Sequence, residues 1–176
     1  MKTPIPMVMI AGVACMANSL PASAVDDFDR TVAALAAGAS DHPKSERSLR
    51  VAAATLVAIG AHPVETEDLG SIWSRGAAAR PLRGRALGPA YRRMLLEPRS
   101  SLRLEQTFLA GQRAQIEIVA WDHASFQLEV KDDEGKAVCV TTRTTKCTWL
   151  PAWTTRYRVD LTNPGTKAGT YFLVFQ

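Results

Sequence analysis

The cysteines, histidines, acids and serines are the residues that could carry chemistry in this chain, and their spacing sorts them. The cysteines are Cys15, Cys139 and Cys147. Cys15 lies in an N-terminal stretch that reads as a cleavable address, so the processed chain keeps Cys139 and Cys147. In an oxidising compartment an even number of cysteines reads first as a disulfide, with redox and metal roles as the alternatives. Closing so short a loop is worth about 2–3 kcal/mol by the chain-entropy argument. His42, His62 and His123 are scattered, and the first two precede prolines. A zinc site would place such ligands in spaced pairs. Asp122, Asp132, Asp133 and Asp160 could gather at a sheet edge and bind calcium, against the plainer reading of a solvated acidic turn. No serine occupies a Gly-x-Ser-x-Gly elbow. The sequence therefore assigns no catalytic residue, no cofactor and no metal, and the expectation is a protein that is not an enzyme.

Binding chemistry has two candidates. Between residues 75 and 103 the chain carries Arg80, Arg83, Arg85, Arg92 and Arg93 among other arginines against the single acid Glu97, in a background of glycine and proline. One reading is an electrostatic patch for an anionic envelope component. The other is a solvated connector whose arginine stems lie along the fold and pair with acids such as Asp132, Asp133 and Glu134. Nucleic acid is not expected, since no helix or aromatic platform presents these charges. The second candidate is Trp149 with Trp153, either a surface that stacks on sugar or peptide or simple packing beneath the disulfide loop.

The elements that must position these residues follow from periodicity. Residues 1–24 read as a signal peptide: Lys2 gives the positive start, Met7 to Met16 the apolar run, and Ala22-Ser23-Ala24 the small-residue cleavage box. No run reaches the ~20 apolar residues that span a bilayer. Residues 25–79 read as helical. Phe28, Val32 and Leu35 form one stripe between an acidic start and Gly38, and Leu49, Ala52, Ala53, Leu56 and Ile59 form a second that stops at Gly60. A third, shorter helix is expected from Glu65 to Arg75, capped by Thr66 and burying Leu69, Ile72 and Trp73. Residues 80–101 read as an arginine-rich linker. Residues 102–176 read as strands: alternation over 102–108, 126–131 and 156–161, and two-sided apolar character over 115–121 and 170–175. Phe172 and Val174 would face the helices, making one cooperative unit. The segment from Cys147 to Thr154 reads as a stapled aromatic loop.

Three stretches carry a family resemblance. They are Phe108-Leu109-Ala110-Gly111-Gln112-Arg113-Ala114, the hairpin from Phe126 to Gly135, and the ending Tyr157-Arg158-Val159 to Asn163 followed by Tyr171-Phe172-Leu173. Residues 102–176 resemble the bacterial pre-peptidase C-terminal domain, although no peptidase accompanies them. The resemblance implies a jelly-roll-like β-sandwich on an exported protein and a non-catalytic role in secretion, localisation or substrate binding. The expected whole is an α+β protein, N-terminal helices followed by an antiparallel jelly-roll-like β-sandwich, periplasmic or secreted. The expected function is a non-enzymatic binding or structural module of the bacterial cell envelope. The alternative is an accessory or inhibitor protein of a secreted peptidase.

Overall fold

The computed structural model describes residues 26–39, 46–75, 88–121, 124–141 and 145–176. The signal-peptide expectation, His42, Arg80, Arg83, Arg85, Asp122 and His123 lie outside these residues.

Helix α1 spans Asp27–Ala39 and α2 spans Glu46–Ala58. Asp26 caps α1, its carboxylate accepting the Asp29 N–H at 2.9 Å. Each helix has 13 residues, a length marginal for a helix alone, so their stability must come from packing an apolar stripe. Phe28 and Leu35 of α1 and Leu56 of α2 are almost fully buried. Gly38 was expected to stop α1, yet it sits inside the helix. A Cβ there would lie 2.0 Å from the Trp73 ring, so glycine is required by a close approach and not by a turn. The short helix α3, Leu69–Trp73, is capped by Asp68, not Thr66, and Ile72 points outward at 49% exposure. Asp68 wins because its carboxylate accepts both the Gly70 N–H and the Ser71 hydroxyl.

Among the described residues the strands are β1 His62–Pro63, β2 Ala90–Leu96, β3 Ser101–Phe108, β4 Ala114–Ala120, β5 Gln127–Lys131, β6 Ala137–Thr141, β7 Lys146–Trp149, β8 Thr155–Thr162 and β9 Gly169–Phe175. They form two sheets, β1-β2-β9-β4-β7 and β3-β8-β5-β6, antiparallel throughout except for the parallel β1–β2 pair. The fold is thus α+β, with the helices preceding a β-sandwich. One core lies between the sheets and is built from Met94, Ile116, Ile118, Leu128, Val159 and Tyr171 among others. A second lies between the five-stranded sheet and the helices, where Phe172, Val174, Tyr91 and Val119 meet Phe28, Leu35 and Leu56. Strand β9 is central and buried on both faces, which accounts for its unbroken apolar run.

Two further sequence expectations change. The linker over 80–101 contains strand β2, which pairs along its whole length with β9, from Ala90 opposite Phe175 to Leu96 opposite Gly169. Its two arginines broke the apolar alternation, but Tyr91, Met94 and Leu96 are buried. The segment expected to be an aromatic loop begins as strand β7, pairing with β4 through Ala114 opposite Trp149 and Ile116 opposite Cys147. Cys139 and Cys147 form a disulfide with Cα atoms 6.0 Å apart. It joins β6, an outer strand of one sheet, to β7, an outer strand of the other. The bridge therefore ties the two sheets at one edge of the sandwich.

Candidate binding surface

Successive residues of a strand point to opposite faces, and this separates the arginines. Arg92 faces the mouth between the sheets, where its guanidinium meets Glu65 at 2.9 Å. Arg93 faces the helix side, 5.6 Å from the Trp121 ring centroid and 3.9 Å from Glu67. The two do not converge on a common anion, and their acids come from the segment before α3, not from the hairpin at 132–134. The hairpin acids have other partners. Asp132 accepts the Lys136 N–H at 2.8 Å and Asp133 the Thr155 hydroxyl at 2.9 Å. Asp160 is held by Arg103 at 2.7 Å and Arg158 at 3.3 Å. Among the described residues no group of His, Cys, Asp and Glu is arranged to hold a metal.

The tryptophans separate as well. Trp149 packs edge-on against Phe108 with centroids 4.8 Å apart, and lies 5.3 Å from Tyr157. It is partly buried and packs against the inter-sheet core. Trp153 is 73% exposed. It belongs to the loop from Leu150 to Thr154, between β7 and β8, which runs beside the β3–β4 turn. The Gly111 N–H donates to the Pro151 carbonyl at 2.9 Å, and the Ala110 N–H to the Thr154 hydroxyl at 3.0 Å. Gly111 takes φ +69°, the left-handed conformation that glycine adopts without cost. Two ordered, hydrogen-bonded loops thereby present Leu109 at 50%, Leu150 at 68% and Trp153 at 73% exposure at one end of the sandwich. Beside them lies a hollow of about 380 Å³ lined by Phe108, Gln112, Arg113 and Gln176.

Leu109 and Leu150 escaped the sequence reading, because an apolar residue next to a strand is by itself unremarked. The available signal was Leu-Ala-Gly and Leu-Pro-Ala, two turn sequences each opening on a leucine where turns are usually polar.

Among the described residues four groups have raised pKa values: the Asp160 hydrogen bond raises Arg103, and burial raises Tyr171, Tyr91 and Glu117. Burial pushes the Tyr91 phenol up to about 12, opposed by the hydrogen bond it accepts from the Leu69 N–H at 3.0 Å. Burial also raises the Glu117 carboxyl, against the lowering effects of the Thr145 hydroxyl and Lys146. Glu117 stands where β4, β7 and α1 meet: Thr145 donates to it at 2.8 Å, and Lys146 bonds Asp29 of α1. The Lys146–Asp29 contact ties the helix layer to the sheet.

No family model and no curated protein matches the chain. No helix among the described residues is long and apolar enough to cross a membrane. Among solved structures, PliG of Aeromonas hydrophila, a periplasmic inhibitor of g-type lysozyme, is similar over 66% of this chain and 96% of its own, with 12% identity and a TM-score of 0.43. The Yersinia pseudotuberculosis-derived mitogen is similar over 51% and 85%, with 10% identity and a TM-score of 0.44. The pre-peptidase C-terminal domain of Bacillus anthracis collagenase is similar over 48% of this chain and 87% of its own, at 8% identity and a TM-score of 0.40. The likeness to that domain therefore covers part of the chain.

Proposed function

We propose that this protein is an exported, non-enzymatic binding module of the bacterial cell envelope, periplasmic or secreted, which engages a protein partner through its Leu109–Leu150–Trp153 loop end. The observation that carries this reading is the exposure of Trp153 and two leucines on loops that are already ordered by main-chain and hydroxyl hydrogen bonds. Large apolar side chains on pre-ordered loops suit a protein interface, where buried Trp anchors contribute most of the affinity and ordering entropy has already been met. The disulfide supports the exported setting, as such bonds persist in oxidising compartments. An apolar loop end of this kind also suits insertion into a partner's cleft. That is the narrower form of the reading, in which the partner is a secreted peptidase.

The test compares cross-linked complexes formed in envelope extract by the wild-type chain and by a Leu150→Ser/Trp153→Ala variant, with a Trp149→Ala variant as the contrast. Loss of one defined protein complex in the loop variant, at unchanged thermal stability, is the expected result. Trp149→Ala instead lowers stability, because it strips a partly buried ring from Phe108 and Tyr157 at the margin of the core. Identical complexes from wild type and the loop variant would overturn the reading. Retention on envelope fractions that survives proteolysis of those fractions and falls with salt would move the function to an anionic polymer bound through Arg80, Arg83 and Arg85.

A further inference from the structure

The loop end is not the sole surface with unused recognition chemistry. Strand β3 is the outer strand of the four-stranded sheet, and no described strand pairs with its second edge. The Ser100 carbonyl accepts the Asn163 N–H at 2.9 Å, so even-numbered backbone groups face β8. Odd-numbered ones, at 101, 103, 105 and 107, consequently face the open edge. Consistent with this, the Gln106 side chain donates to the Thr107 carbonyl at 3.1 Å. Outward-facing sheet positions on β3 are Arg103 and Glu105, both exposed; inward-facing Leu102 and Leu104 are only partly buried. Beside this edge a cleft of about 300 Å³ opens between the sheets, floored by Leu104, Ile116, Leu173 and Phe175.

We infer that this edge pairs with the same edge of a second copy, antiparallel about a two-fold axis through Leu104, joining two four-stranded sheets into one. The charge pattern selects both the occupant and the register. With Leu104 opposite Leu104, Arg103 of each copy stands opposite Glu105 of the other, and Ser101 opposite Thr107. Shifting the pairing by two residues in either direction brings Arg103 onto Arg103 or Glu105 onto Glu105, and like charges directly opposite are destabilising. The register also satisfies the backbone, because odd-numbered groups meet odd-numbered groups and each such pair exchanges both N–H···O bonds. It continues an existing pattern, since Arg103 already pairs with Asp160 and Glu105 with Arg156 on the neighbouring strand. On the inner face Leu104 packs on Leu104 and Leu102 beside Gln106, covering the apolar side chains at the cleft. Charged edge residues normally discourage strand addition. Here the alternation excludes foreign strands of other patterns and accepts its own. The interface is isologous, as a two-fold requires, and it is independent of the loop-end reading.

Sedimentation of the disulfide-bonded chain over a concentration series is the test, with Arg103→Glu and Glu105→Arg variants measured singly and mixed. The expected result is a monomer–dimer equilibrium in the wild type. Each single variant places like charges opposite one another twice and self-associates at least about tenfold more weakly. An equimolar mixture of the two variants restores the dimer, because every acid then faces an arginine. Circular dichroism confirms that each variant is folded. A separate arm tests the register. At a non-hydrogen-bonded pair the Cα atoms lie about 4.5 Å apart, within disulfide reach, so Leu104→Cys oxidises to a covalent dimer and Arg103→Cys does not. A wild-type monomer at every concentration overturns the inference. So does a dimer that ignores the charge variants, or one that cross-links through position 103 in place of 104.

Discussion

Phe172 decides whether the helices and the sandwich are one folding unit. It is fully buried on the helix-facing side of β9, with its ring 5.8 Å from that of Trp121, in the cluster that holds Phe28, Leu35 and Leu56. Phe172→Ala removes a large apolar side chain and leaves a cavity between three elements, a change that costs about 3–5 kcal/mol. For a chain of this size that lowers the melting temperature by on the order of 10 °C. Leu128→Ala, at a fully buried position on the other side of the same sandwich, costs about 2–5 kcal/mol by the same mechanism. Both variants are expected to shift one transition, seen identically by helical circular dichroism and by tryptophan fluorescence. The helices are too short to persist without the sheet, and Lys146 of β7 bonds Asp29 of α1. Separate transitions for the two signals, or a Phe172→Ala loss below about 1 kcal/mol, would refute the reasoning and make the helices an independent layer.

Reduction of the Cys139–Cys147 bridge, which closes a loop with a sequence separation of 8, is expected to cost about 2.5 kcal/mol. A scan with and without reductant should show a fall of roughly 5–10 °C, and peptide mass after alkylation without reduction should show no free thiol at Cys139 or Cys147. Glu117→Gln has a pH signature. Burial raises the Glu117 carboxyl in the folded chain above its ordinary value, so ionisation opposes folding, and the wild type loses stability as pH rises from that value through the raised one. Glutamine keeps an acceptor for Thr145 and has no charge to bury. The stability difference in favour of Glu117→Gln should therefore open as pH climbs from about 4 to 7; a difference that is constant over this range would mean the carboxyl is not buried enough to matter.

The strands that were legible in the sequence have one buried face or a clear reason for two. Along β8, Tyr157, Val159 and Leu161 are buried and the residues between them are not, which is a period-2 signal that composition cannot disguise. Strand β9 was legible because both of its faces are apolar, and its second partner, the helix layer, could be inferred from that alone. Strand β2 was hidden because the same two-sided burial is interrupted by Arg92 and Arg93. Each is tolerated near a boundary of the core by an acid from the segment before α3. Those acids are distant in sequence from the arginines, and no local pattern predicts the pairing. Gly38 failed for a related reason. A helix-stopping glycine and a glycine that admits a tryptophan from another helix look alike until Trp73 is in place.

The candidate surfaces show the same division between local and non-local information. Trp149 and Trp153 are equivalent by residue type and close in sequence, and they part only because β7 ends at Trp149. One ring is thereby drawn inward against Phe108 and Tyr157, while the next falls in the loop that bonds Gly111. Leu109 joins Trp153 across 44 residues of chain, as the Ala110–Thr154 hydrogen bond records. The open edge of β3 is the reverse case. The alternation Arg103-Leu104-Glu105 was legible as a strand, but its self-complementarity has meaning only once the sheet order leaves β3 outermost. Local pattern assigns a side chain to a face; topology decides whether that face is core, solvent or an edge with a partner to find.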